Sequence, residues 1–289
     1  MKSIGIRILS VLVCVIGLYG FKENISPQSA STASNQQYEN EITQWYTHRV
    51  EGLKKEYGWL SLIELKWLNE GKNKIPSIGE ITIKNNSIAV TVSNDVQASL
   101  NKKPFHSGTL KANDDRVIIG SKAFMVIERD GKYALRMWDA ESARRKQFHG
   151  IERFPVNQSW RIIAEWKEYK TVKKVEIETV IPGITEEAMA PGIALFEING
   201  KKFQLEPTAE DSLSDYFFVF GDKSNGKESY GGGRFLYAER PKNGKIILDF
   251  NKSYNPPCAF TEFATCPIPL PKNKLSIRID AGEKKVEGH

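Results

Sequence analysis

Arg234, Asp249 and Asn251, with Tyr230 and the run Gly231-Gly232-Gly233 just ahead of the arginine, are the residues whose types best suit chemistry on a small ligand. A guanidinium offers a bidentate fork to a carboxylate or phosphate, and glycines let a ligand reach backbone N–H groups. Asp249 or Glu283 has the chemistry of a general base on water, with Arg234 stabilising the negative charge that develops. Arg136, Asp139, Arg144 and Arg145 make a second polar cluster, from which Arg136 joins the candidates for holding an anion. The same residues also fit a role without chemistry, a salt bridge at the end of a sheet. The glycine triplet lacks the lysine and following helix of a phosphate-binding loop.

The familiar activated nucleophiles have no footprint: there is no G-x-S-x-G, no H-E-x-x-H, no P-loop and no dinucleotide fingerprint, and no cofactor is expected. Cys258 and Cys266 stand eight residues apart, and the third cysteine, Cys14, falls in the leader. An even pair in an exported chain reads first as a disulfide, second as free thiols and last as a metal site. Zinc wants four ligands at closer spacing, and His48, His106 and His149 lie far upstream.

The elements that must position these groups follow from periodicity. Ile42, Tyr46, Val50, Leu53 and Tyr57 fall at helical spacing, which predicts one amphipathic helix over residues 38–57. Asn85-Asn86, Asp130-Gly131, Asn199-Gly200 and Asn243-Gly244 each separate two strand-like runs, the signature of a tight hairpin turn. Counted outward from Asn243-Gly244, the last hairpin pairs Arg234 with Ser253 and brings Arg234 diagonally within reach of Asn251. Residues 249–275 hold five of the thirteen prolines and cannot form a central strand. They either cap a pocket at the mouth of the sheet or plug the core with Phe260, Phe263 and Ile268. The expected fold is mainly β, an antiparallel sandwich or barrel of successive hairpins with an N-terminal amphipathic helix and a proline-rich C-terminal cap.

The chain of 289 residues carries a formal charge of +6, and its basic runs are short and not interleaved with aromatics, which argues against nucleic acid as a partner. Lys2 and Arg7 flank an apolar run from Ile8 to Leu18 that is too short for a comfortable membrane span, and Ala30 and Ala33 follow in a polar stretch. Residues 1–33 read as an export signal with its linker, and residues 34–289 as a single mostly β domain outside the cytoplasm, periplasmic or secreted. Membrane attachment enters only through an uncleaved or lipidated N-terminus, and Val13 before Cys14 disfavours the lipid.

Gly58-Trp59-Leu60-Ser61-Leu62, the stretches 65–71, 135–139 and 230–236, Asp249-Phe250-Asn251 running on to Phe260, Cys266-Pro267 and Ala281-Gly282-Glu283 together resemble the bacterial domain-of-unknown-function family 1684 from about Trp45 to Glu283. The resemblance implies that residues 249–283 belong to the folded domain. It implies no activity. Two functions follow as expectations: an envelope domain binding a small polar or anionic ligand through Arg234, Asp249, Asn251, Tyr230 and Arg136 under a cap of residues 249–283, or a hydrolase using Asp249 or Glu283.

Overall fold

The structure, a computed structural model, describes residues 27–209, 211 and 213–286, with side chains from residue 35 onward. The export-signal reading, up to residue 26, lies outside the described residues. Helix α1 (Pro27–Leu53) begins earlier and ends sooner than its apolar stripe predicts. Pro27 tolerates the first helical position because its missing N–H has no partner to lose there. At the other end Gly52 and Gly58 shape a turn, so Tyr57 lies beyond the helix while Ile42 and Leu53 are buried beneath it.

Ten strands follow: β1 (Leu62–Trp67), β2 (Gly71–Ile75), β3 (Gly79–Lys84), β4 (Ser87–Val92), β5 (Ala98–Leu100), β6 (Lys103–Phe105), β7 (Ser107–Leu110), β8 (Val117–Ile119), β9 (Lys122–Arg129) and β10 (Lys132–Asp139). They form a six-stranded sheet in the order β1-β10-β9-β8-β5-β6 and a four-stranded sheet in the order β2-β3-β4-β7. Strict alternation in β4 sends Ile88, Val90 and Val92 inward, where they meet Phe124, Val126, Leu135 and Met137 of the larger sheet. Strand β10 does not alternate, because its second face is also covered, by Trp59 and Phe263 around Trp138.

After the short helix α2 (Ala143–Lys146), the second half is built from β11 (Arg161–Glu178), β12 (Thr185–Ile198), β13 (Lys201–Leu205), β14 (Tyr216–Phe220), β15 (Arg234–Ala238) and β16 (Lys245–Asp249). β13-β12-β11-β16 form one antiparallel sheet and β14-β15 a two-stranded one. They enclose a separate core of Phe196, Leu205, Phe218, Phe220, Leu236, Leu248 and Phe250, completed by Leu275, Ile279 and Ala281 from the proline-rich segment. The fold is therefore mainly β and antiparallel, with one long N-terminal helix.

All four turn dipeptides take the positive φ that a tight hairpin requires. Three join paired strands, β3/β4, β9/β10 and β12/β13. The fourth is a correction. Lys242 and Lys245 exchange both backbone hydrogen bonds around Asn243-Gly244, but β15 then pairs with β14 and β16 with β11. Pro241, one residue before the turn's bridge, has no N–H to continue the ladder. Among the described residues the chain resumes backbone hydrogen bonds to β15 only at Tyr254, opposite Phe235, so the register does not set Arg234 diagonally opposite Asn251.

Residues 250–283 form no regular strand; 3₁₀ turns begin at Phe250, Pro257 and Pro271. Phe260 packs with Leu53 and Leu60 under the end of α1, while Phe263 and Ile268 are only partly buried. Cys258 and Cys266 are bonded, with Cα atoms 6.2 Å apart. The loop they close hands the chain to the end of β11, where Val180 donates to the Cys266 carbonyl and Ile268 to the Glu178 carbonyl. We expect Cys258→Ser/Cys266→Ser to lower the free energy of unfolding by about 2.5 kcal/mol, the entropy of closing so short a loop, read as a drop in denaturant midpoint at unchanged slope. An unchanged midpoint would show that the packed segment holds without the bond.

Candidate functional site

Arg234 opens β15 and is fully buried. Its Nη2 donates to Asp222 Oδ2 at 2.7 Å and to the Ile279 carbonyl at 2.8 Å, and its Nη1 donates to the carbonyls of Ala281 and Glu283. The second oxygen of Asp222 accepts from the Ser224 and Ile279 N–H groups. Burial pushes the guanidinium pKa down and the Asp222 carboxylate pulls it back up. With every carbonyl it reaches belonging to residues 279–283, Arg234 clamps the closing segment to the sheet. The glycine triplet serves packing as well: a side chain at Gly233 (φ +93°) would meet Pro269 at 2.6 Å and the Phe220 carbonyl at 2.7 Å. Tyr230 packs beside the Leu53–Phe260 cluster, and burial raises its pKa.

Glu283 belongs to a second network. Arg49 on α1 donates from Nε to its Oε1 at 3.0 Å, and the Asn255 N–H donates to Oε2 at 2.7 Å. Arg49 also donates to the Asn255 carbonyl and lies 4.6 Å over the Tyr254 ring. Burial raises the Glu283 pKa against the pull of Arg49. Arg49 was not singled out from sequence, yet a signal existed: it stands on the same helical face as Ile42, Tyr46 and Leu53, where a charge needs a partner.

Asp249 and Asn251 do come together, in a third place. Asp249, at the end of β16, accepts at Oδ1 from Tyr38 Oη (2.8 Å), from the Asn251 N–H (3.2 Å) and from Asn251 Nδ2 (3.3 Å). Asn251 then holds both the N–H and the carbonyl of Asn157. Burial first, and the Asp249 carboxylate second, raise the Tyr38 pKa. Arg136 lies elsewhere, on β10 of the first half, and Arg144 and Arg145 donate to carbonyls at 54, 62 and 140. The sequence candidates are thus spread over separate networks, and no hydrogen bond links Arg234 to Asp249 or Asn251 among the described residues.

One of them reaches an open groove. Asp249 and Lys252 close one end of a cavity of about 530 Å³ between α1 and the outward face of β11 and β16. Trp45, Tyr237, Ile163 and Ile247 line it. Ile163 and Ile247 are register partners that remain 63 % and 41 % exposed, and Tyr237 is 53 % exposed. Two of the lining lysines are neutralised, Lys252 by Glu41 at 2.5 Å and Lys242 by Glu239 at 2.9 Å. Arg161 and Lys245 have no carboxylate within ion-pair distance among the described residues. A smaller cavity of about 400 Å³ adjoins it across Asp215 and Tyr237 and is walled by Phe217, Met189 and Pro267. Among the described residues no cluster of histidine, cysteine and carboxylate could hold a metal ion.

No curated protein matches this chain. A solution NMR structure of an uncharacterized protein of Haloarcula marismortui is similar at 29 % identity, over 50 % of this chain and 82 % of that one, with a TM-score of 0.43. A family model described as "Protein of unknown function (DUF1684)" matches residues 146–284. The match starts well after Trp45, so the stretches 58–71 and 135–139 lie outside it. It takes in β11 to β16, the Arg234 clamp, the groove floor and the whole proline-rich segment, so that this second half of the chain matches that family of unknown function.

Proposed function

We propose that this protein is an extracytoplasmic binding domain that takes a small anionic ligand with an apolar portion in the groove between α1, β11, β15 and β16. The observation that carries the reading is the pairing of exposed Ile163, Ile247 and Tyr237 with the cations Arg161 and Lys245 in one concavity. Apolar side chains left in a concave surface favour a ligand's hydrocarbon part, and cations without a fixed acid favour its charged end. The disulfide is compatible with a place outside the cytoplasm, as is the signal-like start of the sequence, and no described helix is long and apolar enough to cross a membrane. Hydrolysis by acid–base chemistry draws less support, because Glu283 is buried against Arg49 and only Asp249 touches the groove.

Titration with hexyl phosphate, with hexanol as the uncharged control, tests the reading by calorimetry. Saturable one-to-one binding of the phosphate is expected, weakened roughly tenfold or more in Arg161→Ala/Lys245→Ala, about the value of one charge-assisted contact. Ile163→Asp should also weaken it. No saturable heat, or affinity unchanged in the double variant, would exclude the groove as the site.

A further inference from the structure

The face of β10 that looks away from the first core carries charges the groove does not use. Arg136 is 6 % exposed, yet among the described residues it has no carboxylate within ion-pair distance and its Nε has no hydrogen-bond partner. Its guanidinium lies 5.2 Å over the Trp59 ring. Arg116, half-buried just before β8, repeats the arrangement: its Nε is unpartnered and its guanidinium sits 4.7 Å over Trp138 and 5.8 Å over Tyr57.

Register puts the two in one row. Arg136 is opposite Met125 on β9, and Phe124 is opposite Val117 on β8. Continued by one residue, the register sets Arg116 beside Met125, two strands from Arg136 and on the order of 10 Å from it at the backbone. Arg129, further along the same face of β9, is paired with Glu186 at 3.3 Å. Glu186 is also the carboxylate that acts on Arg136, so Arg129 and Arg136 share one acid and, among the described residues, Arg116 has none. Glu56 and Asp139 act on Tyr57, but neither pairs with Arg116.

A buried guanidinium without a counter-charge is unfavourable, and the usual resolution is a bound acid or anion. Stacking on an indole occupies the flat face of an arginine and leaves its N–H edge to grip an oxyanion in a fork. We propose that Arg136 and Arg116 form a site for a small oxyanion, a carboxylate or phosphate group, on this face against Trp59 and Trp138. The site is independent of the groove: it lies on the first sheet and uses none of the groove's residues.

The experiment is thermal unfolding and calorimetry of the full chain with inorganic phosphate and with benzoate, each at constant ionic strength against chloride. One-to-one saturable stabilisation by at least one of them is expected. It should weaken roughly tenfold or more in Arg136→Met and in Arg116→Met, the loss of one charge-assisted fork, and stay unchanged in Lys202→Met, an exposed lysine on β13 outside both sites. Response to phosphate alone or to benzoate alone supports the site and names the group it prefers. Without anion, Arg136→Met should melt higher than the parent, since it removes an unpaired buried charge. If it does not fold, the less buried Arg116→Met carries the test. No saturable response to either anion, or a response untouched by Arg116→Met, overturns the proposal.

Discussion

Arg234→Met is expected to destabilise the protein by about 3–5 kcal/mol, because it leaves the buried Asp222 carboxylate without its cation and frees three carbonyls of the closing segment. Asp222→Asn should cost a similar amount from the other side, leaving a fully buried guanidinium opposite a neutral amide. Both side chains of this pair are 0 % exposed, so solvent cannot screen the loss. The diagnostic quantity is the coupling between them. Asp222→Asn/Arg234→Met should lose markedly less than the sum of the single variants, since partners in one network are not additive. Urea unfolding of the parent, both singles and the double closes the cycle. Single variants within about 0.5 kcal/mol of the parent, the usual range for exposed positions, would mean that Arg234 faces solvent and is free to hold a ligand instead.

Gly282→Ala should be nearly as damaging, by about 4 kcal/mol, although it adds one methyl group. Gly282 has φ +77°, and a Cβ there would fall 2.3 Å from the Ser253 carbonyl oxygen and 2.9 Å from that of Phe250. Neither can withdraw: Ser253 accepts from the Glu283 N–H, and Phe250 accepts from the Ser253 N–H. The expected loss combines backbone strain of about 1–3 kcal/mol with a comparable cost of overpacking. Gly226 is the control, with φ +76° and nothing within 4 Å of its Cβ position. Gly226→Ala then carries the conformational term alone, about 1–2 kcal/mol, and the difference in melting temperature isolates the clash. Equal shifts for the two variants would show that the 253–283 contact gives way, and that the segment is less tightly seated than its hydrogen bonds imply.

Much of the architecture was legible from local patterns. Asn or Asp followed by Asn or Gly demands positive φ, and such dipeptides mark turns whatever surrounds them; all four turns are present. The apolar stripe of α1 and the alternation of β4 are equally local, each set by the period at which side chains return to one face. The prolines excluded regular structure from residues 249–275 for a reason that lies in the residue itself.

Pairing and partnership were decided elsewhere. A turn names the residues that reverse the chain but not the strands that then find each other, and Pro241 let β15 and β16 separate to β14 and β11. Arg234 was recognisable as a residue needing an anion; that the anion is Asp222, twelve positions upstream, depends on how the 222–234 loop folds over residues 279–283. Arg49 and Glu283 are 234 positions apart, and Tyr38 and Asp249 are 211 apart, separations at which no spacing rule operates. The sequence by itself determined which residues carry charge, which segments alternate and where the chain turns, because those are properties of neighbours. Only the tertiary structure decided which charges are neutralised inside the fold and which, like Arg161 at the groove and Arg136 against Trp59, are left to meet something else, because burial and distance are properties of the packed chain.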